Sequence, residues 1–283
     1  MAQTPKPSTP KKAGRADLVS LLGIGVALAG ILGGLVLEGG SLKDVRQITA
    51  ALIVLAGTAG AVMVSTPGST LKSALRQVAG VFHDKSPKIE ILIDEVIGYA
   101  TKARKTGIVS LEDATEAVAD PFLKKALTLA VDGTDLQEIR SMLELDLQLA
   151  EQHAEAGAKV FESAGGYAPT VGIIGAVLGL IQVMKNLANI DEVGHGIAVA
   201  FVATVYGVGL ANLVLLPVAS KIKARAHAET RRKEFIIEGV GGIVEGLNPK
   251  LLRVKLESYL HAAPAKEKKA ERRAAPATET VKA

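Results

Sequence analysis

The sequence contains no cysteine and no tryptophan, and aromatic residues make up only 3% of its 283 positions. The absence of cysteine excludes disulfide bonds, thiolate metal sites, iron–sulfur clusters and cysteine-based catalysis. The scarcity of aromatic side chains argues against proteins that bind nucleic acids by stacking bases on aromatic rings. We therefore predict no nucleic-acid partner.

Motifs of catalytic and cofactor sites are missing too. No Gly-rich phosphate-binding motif of the dinucleotide or P-loop type occurs. No nucleophile–base set or metal-ligand spacing is present, and the histidines are far apart in the sequence: His83, His153, His195, His227 and His261. We predict that the chain is not an enzyme and holds no metal or organic cofactor. A membrane enzyme is the alternative function that these absences argue against.

Charged residues, which make up 22% of the chain, are absent from four long stretches: residues 18–37, 47–71, 163–184 and 193–220. Each stretch can cross a hydrocarbon layer of ~30 Å as a helix of ~20 residues. Buried helices of soluble proteins are the alternative, but they are more typical of apolar runs of about 10–14 residues. With no β-strand pattern present, we predict an all-α membrane protein with four transmembrane helices and a helical cytoplasmic domain.

Lysine and arginine predict the orientation of these spans, because cytoplasmic loops carry an excess of both. The segments outside the four spans contain, in chain order, four, two, eleven, one and fifteen of these residues. This alternation predicts a multi-pass protein with both termini in the cytoplasm. The first stretch is too long for the apolar part of a signal peptide, so we predict a retained span.

The chain is predicted to consist of six segments. The two ends are rich in Pro, Lys, Ser and Ala with few large apolar residues, which is typical of disorder. The segments are a disordered cytoplasmic N-terminus (1–16), transmembrane helices 1 and 2 (17–66), a cytoplasmic helical domain (67–162), transmembrane helices 3 and 4 (163–220), a cytoplasmic helical extension (221–261) and a disordered tail (262–283).

The cytoplasmic domain carries local helix signals. One apolar stripe at helical spacing predicts a helix that ends near Gly107, and it consists of Ile89, Leu92, Ile93, Val96 and Ala100. Further helix starts are predicted at Ser110, at Asp120 and at Thr134, each with a capping residue. The helix that starts at Thr134 can run without a break towards the third span.

The spans offer hydroxyl and amide groups but no interior Asp, Glu, Lys or Arg. Ion passage through a membrane protein normally uses an ionisable group inside the membrane. If this chain moves ions, a partner must therefore supply the carboxylate. Such a path could be lined by Thr170, Thr204, Tyr206 and Asn212, with Tyr167 in addition. The threonine and asparagine side chains could instead hydrogen-bond within their own helices or to neighbouring helices.

Glycine and alanine recur four residues apart in the spans, at Gly30 and Gly34, at Ala56 and Gly60, and at Gly175 and Gly179. This spacing allows helices to approach closely in lipid. It fits either a specific assembly of several chains or packing within one chain.

Two segments carry a resemblance to a known family. Residues 166–181 (GYAPTVGIIGAVLGLI) resemble the third span of the MotA and PomA flagellar stator subunits. Residues 203–213 (ATVYGVGLANL), with Pro217, resemble their fourth span, and the similarity extends over most of residues 18–260. The more distant ExbB and TolQ energisers share the last two spans, so a proton-driven energiser of outer-membrane processes is the alternative.

The resemblance implies an ion-conducting stator subunit of the bacterial flagellar motor, in the inner membrane, that serves motility and chemotaxis. It implies a pentamer of this chain around a dimer of a MotB-like partner, whose single span carries the acidic residue. The partner's other domain would bind peptidoglycan. Ion passage would drive the ring against the rotor protein FliG.

The same resemblance implies which residues act. Residues 104–112 (RKTGIVSLE) fit the family's rotor-contact pattern R-x-x-G-x-x-S-L-E. The rotor contact would thus include Arg104 and Glu112, with Lys105 and Asp113 as additions.

Coupling of ion binding to shape change would involve Pro169 and Pro217, with Thr204 and Tyr206 along the ion path. Sodium-driven relatives have a threonine where this chain has Ala176. Because sodium needs several oxygen ligands, the loss of one hydroxyl favours protons as the translocated ion.

Overall fold

The computed structural model describes residues 15–16, 18–81, 83–84 and 89–261, which are almost entirely helical. The α-helices are α1 (Leu18–Leu37), α2 (Ile48–Ser65), α3 (Gly68–Val81), α4 (Ile89–Thr106), α5 (Glu112–Glu116), α6 (Pro121–Val131), α7 (Leu136–Lys185), α8 (Ile190–Leu210), α9 (Leu216–Val244) and α10 (Pro249–His261). A 3₁₀ helix (Ile108–Leu111) joins α4 to α5, and a π-helical turn (Ala211–Leu215) joins α8 to α9.

Two short strands are the exception to this helical pattern. β1 (Arg15–Ala16) and β2 (His83–Asp84) pair in antiparallel orientation. No strand was expected, since a two-residue pairing is too short to produce an alternating sequence pattern. Residues 15 and 16 also belong to the N-terminal segment that was predicted to be disordered, whereas residues 1–14 and the tail 262–283 lie outside the described residues.

Three helical segments are long and apolar enough to cross a membrane: Ile48–Ser65, Leu136–Lys185 and Ile190–Val244. The structure thus confirms the helical membrane class. In α1 the apolar stretch among the described residues is Leu22–Leu37, which falls short of that length. Four crossings, and the exact membrane boundaries, therefore stay a prediction.

The chain divides into two compact units. The polar unit contains the described residues 89–147 and 230–261, and the membrane unit contains the others, including 148–229. The helix α7 begins in the polar unit and continues without a break into the membrane unit, as the sequence predicted.

The polar unit has its own hydrophobic core. The predicted apolar stripe of α4 contributes four fully buried side chains, Leu92, Ile93, Val96 and Ala100, while Ile89 is partly buried against them. The other helices add buried residues, among them Leu111, Leu123, Leu127, Leu143, Phe235, Ile236, Leu252 and Leu256. The ring of Phe235 also meets Tyr259 edge to face, with centroids 6.1 Å apart.

Helix ends in the polar unit largely follow the sequence signals. Helix α4 ends at Thr106, and the next residue, Gly107, has a φ of 85°, which suits glycine. Asp120 caps α6 by accepting hydrogen bonds from the backbone N–H groups of Phe122 and Leu123. The expected cap at Thr134 is wrong, because Asp135 accepts the bond from the Gln137 N–H group instead.

A charged network joins α7, α9 and α10 through Glu238. Its carboxylate pairs with Arg140 at 3.3 Å and with Lys255. Burial alone would raise the pKa of Glu238, but the contacts with Lys255 and Arg140 outweigh it and hold the pKa below its usual value. This contribution to stability is present above the unfolded-state pKa and is lost as pH falls through the lower folded-state pKa.

The membrane unit is held together by close packing of α7 against α8. A Cβ atom built on Gly207 would lie 2.5 Å from the Ala168 carbonyl oxygen, and one on Gly172 would lie 2.9 Å from the Ala203 carbonyl oxygen. One on Gly179 would lie 2.8 Å from the Gly196 carbonyl oxygen. The two backbones therefore touch along a series of small residues, which is how helices pack closely in lipid.

This packing shows that the small-residue motif of Gly175 and Gly179 serves contacts within one chain. Gly175 and Gly179 pack within the chain, against Ala203 and against Gly196 and Ala200 respectively. Gly30, Gly34 and Gly60 instead face open space within 4 Å. Assembly of several chains through those three positions stays a prediction.

We expect Asp120→Asn to destabilise the protein by about 3 kcal/mol, the lower end of the range for breaking a buried ion pair. Asp120 and Arg232 form an ion pair whose side chains are only 8% and 12% exposed. Asparagine keeps the helix cap but not the charge. Thermal or chemical unfolding of the purified chain in detergent measures the change.

The matched control is Lys125→Gln, which breaks the exposed pair between Lys125 and Asp146. Exposed pairs contribute about 0–1 kcal/mol, so this variant should unfold nearly like wild type. Equal effects of the two variants would contradict the importance of the buried pair.

We expect Gly207→Ala to destabilise the membrane unit by about 1–3 kcal/mol, because the added methyl group would meet backbone atoms that cannot move aside. Gly209→Ala is the control, since nothing lies within 4 Å of a Cβ atom there. Alanine favours helix by up to about 1 kcal/mol over glycine, so the control should be neutral or stabilised. Thermal unfolding in detergent checks both, and a stable Gly207→Ala variant would contradict the close approach.

Candidate functional site

The four predicted rotor-contact residues lie on either side of a rigid turn in the polar unit. Helix α4 ends at Thr106, and the 3₁₀ helix leads into α5. Leu111 is fully buried in the core and anchors the turn. The Thr106 and Ser110 hydroxyl oxygens are 2.7 Å apart, and the Ser110 hydroxyl donates to the Gly107 carbonyl oxygen at 2.6 Å. The expected capping role of Ser110 is therefore wrong, because its hydroxyl closes this turn.

The charges on the turn are exposed and sorted by sign. Arg104 and Lys105 lie in the last turn of α4, and Glu112 and Asp113 in the first turn of α5. None of the four forms an ion pair or side-chain hydrogen bond with another residue that the structure describes. Basic groups at a helix C-terminus and acidic groups at an N-terminus also favour both helices, by about 0.3–1 kcal/mol each.

An apolar side chain at the same turn was not predicted. Val109, in the 3₁₀ helix, is 64% exposed and lies in sequence between the basic and the acidic pair. Contact surfaces commonly combine an apolar centre with a polar rim. Val109 belongs to the motif 104–112, but only the structure shows that its side chain is exposed while that of Leu111, two residues later, is buried.

The second predicted site lies along α7 and α8 in the membrane unit. Gly175 contacts Ala203, so the next residues on each helix, Ala176 and Thr204, lie beside the helix crossing. Both are half-buried. The Thr204 hydroxyl donates to the Ala200 carbonyl oxygen of its own helix at 3.3 Å. This bond uses its only donor, and the oxygen lone pairs remain available to accept from water or to bind a cation.

The other hydroxyl and amide groups on these helices also bond locally. Thr170 donates to the Tyr167 carbonyl oxygen at 2.8 Å, and the Asn212 amide donates to the Val208 carbonyl oxygen at 2.9 Å. Such bonds within a helix were the alternative to a pore role for these side chains. They use the hydroxyl donor of Thr170 and one N–H of the Asn212 amide, and they leave the side-chain oxygen atoms able to accept hydrogen bonds.

Tyr206 makes a different contact from the one expected of an ion-path residue. Its hydroxyl donates to the backbone carbonyl oxygen of Val45 at 2.5 Å. Val45 lies in the link between α1 and α2, so the bond fixes that link to α8. Sequence reasoning missed this contact because the two residues are 161 positions apart.

The two prolines lie in unbroken helical segments. Pro169 is inside α7, which continues for 50 residues. Pro217 follows the π-helical turn that joins α8 to α9, and there the Leu216 N–H group bonds to the Ala211 carbonyl oxygen, five residues back. A Cβ atom on Gly165 would lie 2.6 Å from a Leu216 methyl carbon, so the two helices meet one turn from Pro169 and next to Pro217.

An apolar face of α7 accompanies this site. Pro169 and Ala176 are half-buried, whereas Ile173 and Leu180 on the same face are largely exposed. Exposed apolar surface of this extent is typical of a face covered by lipid or by other chains. The structure thus brings the α7 and α8 residues together at one crossing, while the charged turn belongs to the other unit.

Two family models match the chain. Residues 114–235 match the MotA/TolQ/ExbB proton channel family, and residues 21–104 match the Motility protein A N-terminal family. The first match includes the α7–α8 crossing, and the second ends at Arg104.

Relatives and solved structures agree with these matches. The chain is 38% identical to Motility protein A of Bacillus subtilis over 253 residues, which cover 89% of this chain and 93% of the relative. It is similar to the flagellar MotAB stator complex from Bacillus subtilis, with a TM-score of 0.82, 38% identity and coverage of 90% and 99% of the two chains. For the MotAB structure of C. jejuni the TM-score is 0.83 at 34% identity, with coverage of 88% and 98%.

We expect Tyr206→Phe to lower the free energy of unfolding by about 0.5–1.5 kcal/mol, the net contribution of one hydrogen bond. If the hydroxyl acts only through Val45, cells with this variant should still swim at wild-type speed. Thermal unfolding in detergent and swimming speed measure the two effects. A variant of wild-type stability that no longer swims would place Tyr206 in the ion path instead.

Proposed function

The chain belongs to the motility protein A (MotA) family, whose members are ion-channel subunits of the flagellar stator, and we propose that it couples proton flow to torque together with a MotB-like partner. The observation that carries this proposal is the similarity to MotAB stator structures over about 90% of the chain. The match of residues 21–104 to the Motility protein A N-terminal family favours a stator over an ExbB/TolQ-type energiser.

A partner is needed on chemical grounds. The charge-free stretches 163–184 and 193–220 contain no carboxylate that could accept and release an ion. The solved relatives are complexes of MotA with MotB. We propose that a single-span, peptidoglycan-binding partner of this kind brings the carboxylate next to the α7–α8 crossing and that several copies of this chain, five in our proposal, surround a dimer of it.

Within that assembly this chain would provide oxygen atoms along the ion path and helices that can bend. Thr204 offers lone pairs because its hydrogen already bonds to Ala200. Ala176 offers no oxygen beyond its backbone, so the path is poorer in ligands for sodium, which needs several. We propose that protons pass by way of water and the partner's carboxylate, and that Pro169 and Pro217 allow the helices to change shape as the carboxylate is protonated.

The charged turn would then push on the rotor. Arg104, Lys105, Glu112 and Asp113 are exposed charges of both signs on a turn held by a buried leucine. Solvated charges of this kind steer a partner into register and separate at little cost, which suits a contact that forms and breaks repeatedly. We propose FliG as the rotor protein contacted, with the turn and both chain termini in the cytoplasm and the spans in the inner membrane.

Charge reversal at the turn tests the rotor contact. We expect Arg104→Glu and Glu112→Lys each to reduce swimming speed by about half or more, because like charges brought together at an interface cost several kcal/mol. Membrane insertion and unfolding temperature should remain at wild-type values, since both side chains are exposed. Swimming speed and membrane fractionation measure these outcomes.

Matched controls reverse exposed charges elsewhere in the polar unit, in Lys250→Glu and Glu144→Lys. Both controls should swim normally. Normal swimming of Arg104→Glu, Glu112→Lys and their double variant would rule out the proposed contact, while the membership of the family would stand.

Replacement of sodium in the medium tests the ion. We expect the rotation speed of tethered cells to stay the same when external sodium is replaced by potassium, and to fall to zero when a protonophore is added. The reason is that, of the two residues beside the α7–α8 crossing, Thr204 carries a hydroxyl and Ala176 carries none. A speed that rises and falls with external sodium would contradict proton coupling.

A further inference from the structure

The membrane unit contains a groove that shares Pro217 with the proposed coupling site but otherwise lies outside the α7–α8 crossing. It has a volume of about 280 Å³ and lies between α1 and the segment that includes the π-helical turn and the start of α9. Its walls are almost wholly apolar. The lining residues are Gly23, Ile24 and Ala27 on α1, with Asn212, Leu213, Val214, Pro217, Val218 and Lys221 opposite them.

Gly23 leaves open space on the α1 side of the groove. Nothing lies within 4 Å of a Cβ atom built on Gly23, so a larger residue would extend into the groove. On the opposite wall, Val214, Pro217, Val218 and Lys221 follow the spacing of one helix face. The groove therefore runs along α9 from apolar residues to a lysine.

The lysine places a positive charge at one end of the apolar groove. Lys221 is the first charged residue after the charge-free stretch 193–220. An apolar groove that ends at a lysine next to a charge-free stretch matches a phospholipid, whose acyl chain is apolar and whose phosphate is anionic. Basic pockets between membrane helices bind anionic head groups in this way.

We propose that this groove binds one anionic phospholipid, with part of an acyl chain between α1 and α9 and the head-group phosphate at Lys221. A volume of 280 Å³ is just below that of pockets for drug-sized ligands and accommodates part of one chain. Free phosphate does not fit this lining, which offers almost no polar group besides Lys221 and Asn212. The proposal is independent of the translocated ion and of the rotor contact.

Native mass spectrometry of the full complex in detergent tests the proposal. Palmitoyl-oleoyl phosphatidylglycerol is the probe and palmitoyl-oleoyl phosphatidylcholine the comparison. We expect one phosphatidylglycerol bound per chain. Lys221→Gln should reduce the preference for phosphatidylglycerol about fivefold, the effect of about one cationic contact. Gly23→Leu should abolish binding of both lipids, because the leucine side chain fills the groove.

Two variants provide matched controls. Gly25→Leu adds the same side chain on α1 at another open position that does not line the groove. Lys72→Gln removes an exposed lysine from the first charged position after the stretch 47–71. Both should bind lipid like wild type. Lipid binding by Gly23→Leu at the wild-type level would overturn the proposal. A change in the number of chains per complex in Gly23→Leu would also overturn it, because it would indicate that a second copy of the chain occupies the groove.

Discussion

The close approach of α7 and α8 is the constraint on which the rest of the membrane unit depends. Backbone atoms of the two helices come within reach of a methyl group at Gly172, Gly179 and Gly207. No hydrophobic effect drives helices together in lipid, so contact between backbones must provide the attraction. The same contact fixes where Thr204 and Ala176 lie, because both flank it. The packing of α7 against α8 and the proposed ion path are therefore linked, because a change that loosens the helix contact also displaces Thr204 and Ala176.

Much of this architecture could be predicted from the sequence, because its strongest signals are local. The absence of charge predicted the apolar helices, the stripe from Leu92 to Ala100 predicted the buried face of α4, and Gly107 and Asp120 predicted helix ends. Each of these signals depends on residues a few positions apart. The family was identified in the same way, from two contiguous segments on α7 and α8, and the comparisons confirm it.

The rest depends on contacts between distant parts of the chain, which leave no local pattern. The bond from Tyr206 to Val45 gives no sequence signal, and neither does the pairing of Arg15 with Asp84. The exposure of Val109, two residues before the buried Leu111, depends on the direction in which the 3₁₀ helix points each side chain. The roles of the charged turn and of the prolines stay predictions, because they concern contacts with other proteins.

The π-helical turn at Ala211–Leu215 has a geometric effect beyond joining two helices. A π-helical turn accommodates one extra residue, and one residue of an α-helix corresponds to a rotation of about 100° around the axis. The side chains of α9, including those of Pro217 and Lys221, are therefore rotated around the helix axis relative to Thr204 and Tyr206 in α8. The turn thus sets the angle around the helix axis at which α9 follows α8, so that Pro217 and Lys221 line the groove beside α1 while Leu216 contacts Gly165 of α7.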